Sequence, residues 1–210
     1  MCAAIDIPVR GKYATSSGLP RQPADRPVDD LRIVSCHLGG GCSIAAIDGG
    51  RSVDTTMGYT PLDGLPMATR SGSVDPGLVI HLLRCGVTID ELDDTLQHHS
   101  GLLGLSGCSA DLTEVIAYAD VGDDSDTRAV AVYLHRLQTG FGAMLAALDG
   151  LDAVVVSGGA AVHTPAVHHT LHNLLRTFGL DAPLLVEAAR EDWCVALAAA
   201  AVASDHPLNG

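Results

Sequence analysis

The chain has no apolar run long enough to span a bilayer. The longest, "CVALAAAAVA" at 194–203, is about half the length a membrane helix needs. Residues 1–8, "MCAAIDIP", lack a basic start feeding an apolar core, so no secretory leader is expected and the protein reads as soluble and cytoplasmic. No two cysteines stand in CxxC spacing. Cys2, Cys36, Cys42, Cys85, Cys108 and Cys194 lie mostly inside apolar runs, so buried free thiols are expected rather than a disulfide framework. Positive charge is scarce: 12 Lys and Arg against 25 Asp and Glu give a formal net charge of −13. That argues against non-specific binding to nucleic acid or to an anionic membrane. It leaves room for an anionic substrate, because a local arginine and a few backbone N–H groups override the global field at short range. Internal repeats are absent, and the only compositional bias is the alanine run near the C-terminus.

What is present is a globular composition. The 210 residues are 47% hydrophobic and 18% charged, enough to bury a substantial core. Residues 1–30 hold four of the ten prolines and read as an irregular, exposed segment; a single domain is expected over 31–210. "LRIVSCHL", "CSIAAID" and "RSVDTTMG" read as three strands linked by glycine turns, an antiparallel meander. Asp75-Pro76 looks like an N-cap and first helical residue opening a helix that Gly86 closes, and Thr88 caps another over "TIDELDDTLQHHS". "SADLTEVIAYAD", the long stretch 126–148 and "PAVHHTLHNLLRTFG" read as further helices. "DAVVVSGG" and "APLLVEA" read as strands, and "EDWCVALAAAAVA" as a final apolar helix. A strand meander followed by βα units implies a mixed sheet with helices on its faces, an α/β fold.

Four stretches carry possible chemistry. In "HLGGGCS" a strand feeds Gly39-Gly40-Gly41, which either make a plain hairpin turn or bring backbone N–H groups up to a phosphate. "DTTMGYTPLDGLPMATRSGSVDPG" is a long loop rich in hydroxyls. It contains Arg70, which either grips phosphate or carboxylate oxygens or forms a surface ion pair with Asp63 or Asp75. "VVVSGG" ends a buried strand in glycines, where nucleotides often sit and where strand-to-helix turns also pack tightly. Glu191-Asp192 opens the last helix, where acidic residues suit the helix dipole. His168 and His172 share a helical face at metal-ligand spacing but lack a third ligand nearby, so solvated histidines are the simpler reading.

Together and in this order, "HLGGGCSIAAIDGGRSVDTTMGYTPLDGLPMATRSGSVDPG", "SGLLGLSGCSADL", "VVVSGG" and "EDWCVALA" resemble the acetate kinases and their propionate-kinase relatives over about residues 31–203. The resemblance implies a mixed-sheet, RNase H-like domain of the acetate and sugar kinase, Hsp70 and actin superfamily, specifically its C-terminal domain. It implies transfer of phosphate between ATP and a short carboxylate, giving ADP and an acyl phosphate, with Mg²⁺. It places His37, Leu38, Gly39, Gly40 and Gly41 at the ATP phosphates. Arg70 falls at the carboxylate or transferring phosphoryl group, and Pro61 in the acyl pocket. Asp111 and Gly159, Ala160, Ala161, Val162 and His163 fall at the adenosine, and Glu191 at the magnesium. A homodimer is also implied, to which the 126–148 helix and the alanine-rich last helix would lend apolar contacts.

Several positions depart from the family pattern. Gly40 stands where many members have Asn, and Thr113 where Arg is usual. Ala160-Ala161-Val162 replace an Ile-Gly-Glu turn, which predicts weaker adenine-nucleotide binding or a shifted pose. "KYATSSG" lacks the histidines of the family's preceding segment. Family enzymes are about twice this length, consistent with two domains. Their N-terminal half supplies a second arginine, a catalytic aspartate and a further magnesium ligand. A non-catalytic nucleotide-binding or dimerisation module is therefore the alternative reading.

Overall fold

A computed structural model describes residues 26–159 and 164–187. Ala160, Ala161, Val162, His163, Glu191 and the expected last helix lie outside the described residues.

A single turn of 3₁₀ helix, Val28–Asp30, leads into β1 (Arg32–Leu38), β2 (Cys42–Asp48) and β3 (Arg51–Thr55). α1 (Pro76–Arg84), α2 (Ile89–His98), α3 (Gly101–Ser106), α4 (Leu112–Asp120) and α5 (Asp124–Ala146) follow. β4 (Ala153–Ser157), α6 (Pro165–Thr177) and β5 (Leu184–Glu187) complete the described order. The sheet runs β3-β2-β1-β4-β5. β1 pairs antiparallel with β2 and parallel with β4, and β4 pairs parallel with β5. This is the mixed sheet expected from the strand meander and the βα units. β3 is shorter than its sequence pattern: the ladder with β2 ends at Thr55, and the Ile44 N–H donates to Thr56 Oγ1 at 3.0 Å instead of to a backbone carbonyl. The pairing also carries a register shift at Ala46/Ile47, and the strand is almost wholly exposed at the sheet edge.

The helix termini obey local chemistry. Asp75 accepts from the Gly77 N–H at 2.8 Å with Pro76 at the first helical position. Thr88 and Glu91 form a reciprocal capping box. Asp111 caps α4 and Asp123 caps α5, so α5 opens two residues before the periodic stretch at 126. α3 is a helix that the sequence pattern did not indicate: "GLLGLS" is too short and too glycine-rich to show a period.

The main core lies on one face of the sheet. Val34, Cys36 and Leu38 of β1, Ile44 of β2 and Val154 and Val156 of β4 meet Tyr133, Leu137 and Phe141 of α5 and Leu171 of α6. The alternation along β1 sends Ile33 to the opposite face, where it clusters with Leu31, Ile47 and Val155. The apolar stripe of α5 (Ala129, Tyr133, Leu137, Phe141, Met144) is buried inside the domain. Two cysteines also depart from expectation. Cys36 and Cys42 are buried free thiols, but Cys85 at the end of α1 and Cys108 in the α3–α4 turn are exposed.

At the edge where β1 and β4 begin, Asp152 gathers the chain. It accepts from the Arg32 backbone N–H at 2.9 Å, from Arg32 Nε at 3.0 Å and from Arg26 Nη1 at 2.6 Å. The Arg32 side-chain hydrogen bond is the main cause that holds the Asp152 carboxyl down, at about 2 against an ordinary value of 3.8. A lowered folded-state value means the stabilisation is complete above the unfolded pKa of about 4 and drains away as pH falls toward 2. Asp152→Asn is expected to cost about 2 kcal/mol at pH 7 and to flatten the loss of stability between pH 4 and pH 2, as read from urea melts across that range.

Candidate functional site

The site forms where β1 and β4 end side by side, with His37 paired to Ser157 in the parallel register. His37 Nδ1 lies 3.1 Å from Ser157 Oγ. Beyond this pair the two chains come into backbone contact. Gly158 adopts φ +92°, and a Cβ there would stand 2.4 Å from the Leu38 carbonyl oxygen and 3.0 Å from the Gly39 nitrogen. Only glycine permits both the conformation and the approach. "VVVSGG" is therefore a tightly packed turn, and that packing is what fixes the glycine loop above it.

The Gly39–Gly41 loop is held from three sides. The Gly39 N–H donates to the Gly41 carbonyl at 3.0 Å, closing the turn. Beneath it, the Cys42 thiol donates to the Gly39 carbonyl at 3.4 Å and lies 3.6 Å from the Tyr133 hydroxyl. Burial pushes the Cys42 thiol up and the Tyr133 hydroxyl well above its usual range, so both stay neutral and no negative charge stands under the loop. To the side, the Gly40 carbonyl accepts from the Ala68 N–H at 3.3 Å. Gly40 itself is exposed, and no described residue lies within 4 Å of where a Cβ would sit.

The same side contact brings Arg70 in. A Cβ on Gly41 would lie 3.8 Å from Arg70 Nη1, and that nitrogen is 3.9 Å from Met67 Sδ. The two carboxylates that might have paired with Arg70 are engaged elsewhere. Asp63 accepts from Ser73 Oγ at 2.6 Å and from the Gly64 N–H, while Asp75 caps α1. Among the described residues, Arg70 makes no ion pair. A half-buried, unpaired guanidinium thus stands beside an open glycine loop.

In front of the loop is a cleft of about 490 Å³. It is lined by Gly39, Gly40 and Gly159 on one side, by Ala68, Leu102 and Tyr133, and by Ala110–Thr113 on the other. Its size suits a small ligand or nucleotide. Asp111 lines it, but its Oδ1 caps α4 by accepting from the Thr113 and Glu114 N–H groups at 2.7 and 3.2 Å. Leu38 is fully buried in the core, so it meets the cleft side with backbone alone. Pro61 is exposed, between Thr60 and Leu62, which help line a second hollow of about 180 Å³. Tyr133, Leu102 and Ala68 escaped the sequence reading because apolar spacing marks them as core, which for Tyr133 and Leu102 is also true. Among the described residues, no three His, Cys, Asp or Glu side chains converge to hold a metal ion, His168 and His172 included.

Comparison with known proteins decides the family. The model of the "Acetokinase family" matches residues 17–201. The chain belongs to the acetokinase family. An acetate kinase from Synechococcus sp. (strain JA-2-3B'a(2-13)) is 46% identical over 195 residues, covering 83% of this chain and 48% of that protein. The crystal structure of Porphyromonas gingivalis acetate kinase matches with a TM-score of 0.78 at 29% identity, over 83% of this chain and 49% of that one. A propionate kinase from Francisella tularensis matches with a TM-score of 0.73 at 30% identity, over 79% and 48%. The chain thus spans about half the length of the relatives it matches. The acetokinase-like fold agrees with the expected α/β, mixed-sheet class.

The loop's dependence on Gly158 is testable against its neighbour. Gly158→Ala is expected to destabilise the fold by at least about 2 kcal/mol, from forbidden φ and backbone overlap together. Gly159→Ala, with no described residue within 4 Å of the added Cβ, is expected to stay within about 0.5 kcal/mol. Chemical denaturation of the two variants checks the contrast.

Proposed function

We propose that this chain carries one half of an acetate kinase-type site, which transfers phosphate between ATP and acetate or propionate to give ADP and an acyl phosphate. The observation that carries the reading is Arg70, which makes no ion pair among the described residues and is set against the glycine loop. A buried or half-buried cation without a carboxylate partner suits a site that receives an anion. In phosphoryl transfer, charge spreads over the equatorial oxygens, and positive groups aimed there supply much of the catalysis.

In this reading the phosphates lie on Gly39–Gly41, with the backbone of His37 and Leu38 shaping the approach. Gly159, residues 160–163 and Asp111 are assigned to the adenosine, and Pro61 to the acyl wall. The carboxylate oxygen attacks the γ-phosphorus, and the bond from that phosphorus to the β–γ bridging oxygen breaks. ADP leaves with the electron pair, and the new P–O bond completes the acyl phosphate. The nucleophile is already an anion, so no general base is required. Arg70 holds the oxygens of the transferring group in line and offsets their charge. The proposed Mg²⁺ would accompany the nucleotide. The described carboxylates do not converge on a site for it, and Glu191 lies outside the described residues, so no step is drawn through the metal.

A second reading is a module that binds nucleotide, or associates with itself, without turnover. The observation in its favour is that the chain spans only 48% of the Synechococcus relative. Phosphoryl transfer depends on positioning from both walls of a site.

We also propose a homodimer, through α1 rather than α5. α1 carries five large apolar residues in nine and buries none of them, and Leu78, Ile80 and Leu83 are exposed together with Ile89 of α2. An apolar helix of this length is marginal in water until it is covered. The proposed occupant is a second copy of the same surface, as two-fold association requires.

The functional reading is tested by trapping acyl phosphate with hydroxylamine after incubating the chain with ATP, Mg²⁺ and acetate. Turnover is expected, with at least a hundredfold loss in Arg70→Ala at unchanged thermal stability. Absence of turnover together with tight ATP binding by calorimetry favours the module; absence of both overturns the site. For the dimer, Ile80→Glu is expected to halve the mass measured by light scattering, and a wild-type monomer contradicts it.

A further inference from the structure

Arg70 belongs to a loop without regular structure, yet its position is tightly determined. The determinant is the α2–α3 junction. The carbonyls of Met67, Ala68 and Thr69 accept from the N–H groups of Leu102, Leu103 and Ser100 at 2.8, 3.0 and 2.9 Å. These are N–H groups at the start of α3, which have no acceptor within their own helix. From the other direction, the Ser71 N–H donates to the Leu96 carbonyl at 3.0 Å, and Thr69 Oγ1 donates to the Gln97 carbonyl at 2.8 Å. The Met67 N–H donates to the Arg70 carbonyl at 3.0 Å, closing the loop on itself. Arg70 is thus bracketed on both sides by bonds to the end of α2 and the start of α3.

That bracket closes only because residue 101 has no side chain. Gly101 takes φ +58°, and a Cβ there would stand 2.3 Å from the Met67 carbonyl oxygen, 2.6 Å from the Arg70 carbonyl oxygen and 3.1 Å from the Arg70 nitrogen. All three are backbone atoms that cannot rotate away. The junction is buried at Gly101 and Leu102, so the loop cannot be displaced without opening it. We propose that Gly101 is a positioning residue for Arg70: its bare Cα lets the α2–α3 junction clamp the 67–71 loop and thereby sets where the guanidinium stands relative to Gly39–Gly41. The functional consequence rests on the reading of Arg70 given above; the clamp itself does not.

Gly107 supplies an internal control. It ends the same helix with φ +76°, but nothing lies within 4 Å of where its Cβ would be. Gly107→Ala therefore imposes a comparable left-handed strain on α3 without crowding the Arg70 loop. Amide hydrogen exchange of the whole chain separates the two. In Gly101→Ala, Ala68 and Ser71 are expected to exchange at least tenfold faster while the β1 and β4 amides keep their protection. In Gly107→Ala, Ala68 and Ser71 are expected to stay within twofold of wild type. Unchanged protection in folded Gly101→Ala overturns the proposal, as does equal acceleration in both variants. Should Gly101→Ala fail to fold, Thr69→Val removes one bond of the clamp without adding bulk at 101. It is expected to speed Ser71 exchange severalfold, and no change there counts against the clamp. In the acyl-phosphate assay, Gly101→Ala is expected to lower kcat at least tenfold with KM for ATP within twofold. A wild-type chain without turnover contradicts the functional reading, and the exchange data still decide the positioning role.

Discussion

The contact between the Gly158 backbone and the carbonyl of Leu38 is the point on which the site depends. Two parallel strands end there in register, and the chain leaving β4 passes so close to the chain leaving β1 that no Cβ fits between them. This fixes the Gly39–Gly41 loop with respect to the sheet. The loop meets the neighbouring segment through the bond from the Ala68 N–H to the Gly40 carbonyl, and the α2–α3 junction holds that segment, with Arg70, in place. Each step is a backbone contact, so its geometry does not rely on flexible side chains. A site built this way is preorganised, which is the condition for electrostatic stabilisation to count in a reaction.

Electrostatics then acts locally against the global field. The chain is strongly acidic at −13, yet the floor of the loop is kept neutral by the buried Cys42 and Tyr133, and the nearby carboxylates are turned to other tasks. Asp63 organises its own loop, and Asp75, Asp111 and Asp123 cap helices. Among the described residues, the charged side chain set against the glycines is the Arg70 guanidinium. In the proposed function it is the local attraction for a polyanion within an acidic chain.

The legible parts of this fold were those set by local chemistry. Asp75-Pro76, the Thr88–Glu91 box and the paired glycines at 49–50 announce their own geometry, and strand alternation placed the meander. α3 was not legible, because its reason for existing lies thirty residues away, in the carbonyls of 67–69 that accept from its N–H groups. The long reach of β1 to β4 appears in the sequence only as a second glycine-ended strand. For the site, spacing alone left Arg70 undecided between an anion and a neighbouring aspartate. Asp63 and Asp75 bond elsewhere, which removes the ion-pair alternative for these two carboxylates. The family resemblance ordered the pieces, and the comparisons establish the family; the roles of the individual residues are the proposal made here. Cys85 and Cys108 are exposed against expectation, because apolar neighbours in sequence reveal neither which side of a short helix meets the core nor how a turn is covered.

The central claim is that Gly39–Gly41 and Arg70 form one anion-binding unit. The most direct measurement is a titration of the isotopically labelled chain with MgATP, following the Gly40 and Gly41 amide resonances and the Arg70 side-chain Nε–H resonance by NMR. The account predicts that all three move together and saturate with a single dissociation constant, and that the Arg32 Nε–H at the opposite edge of the sheet does not move. Glycine and Arg70 signals that stay fixed at millimolar nucleotide, or that shift with unrelated midpoints, would contradict it.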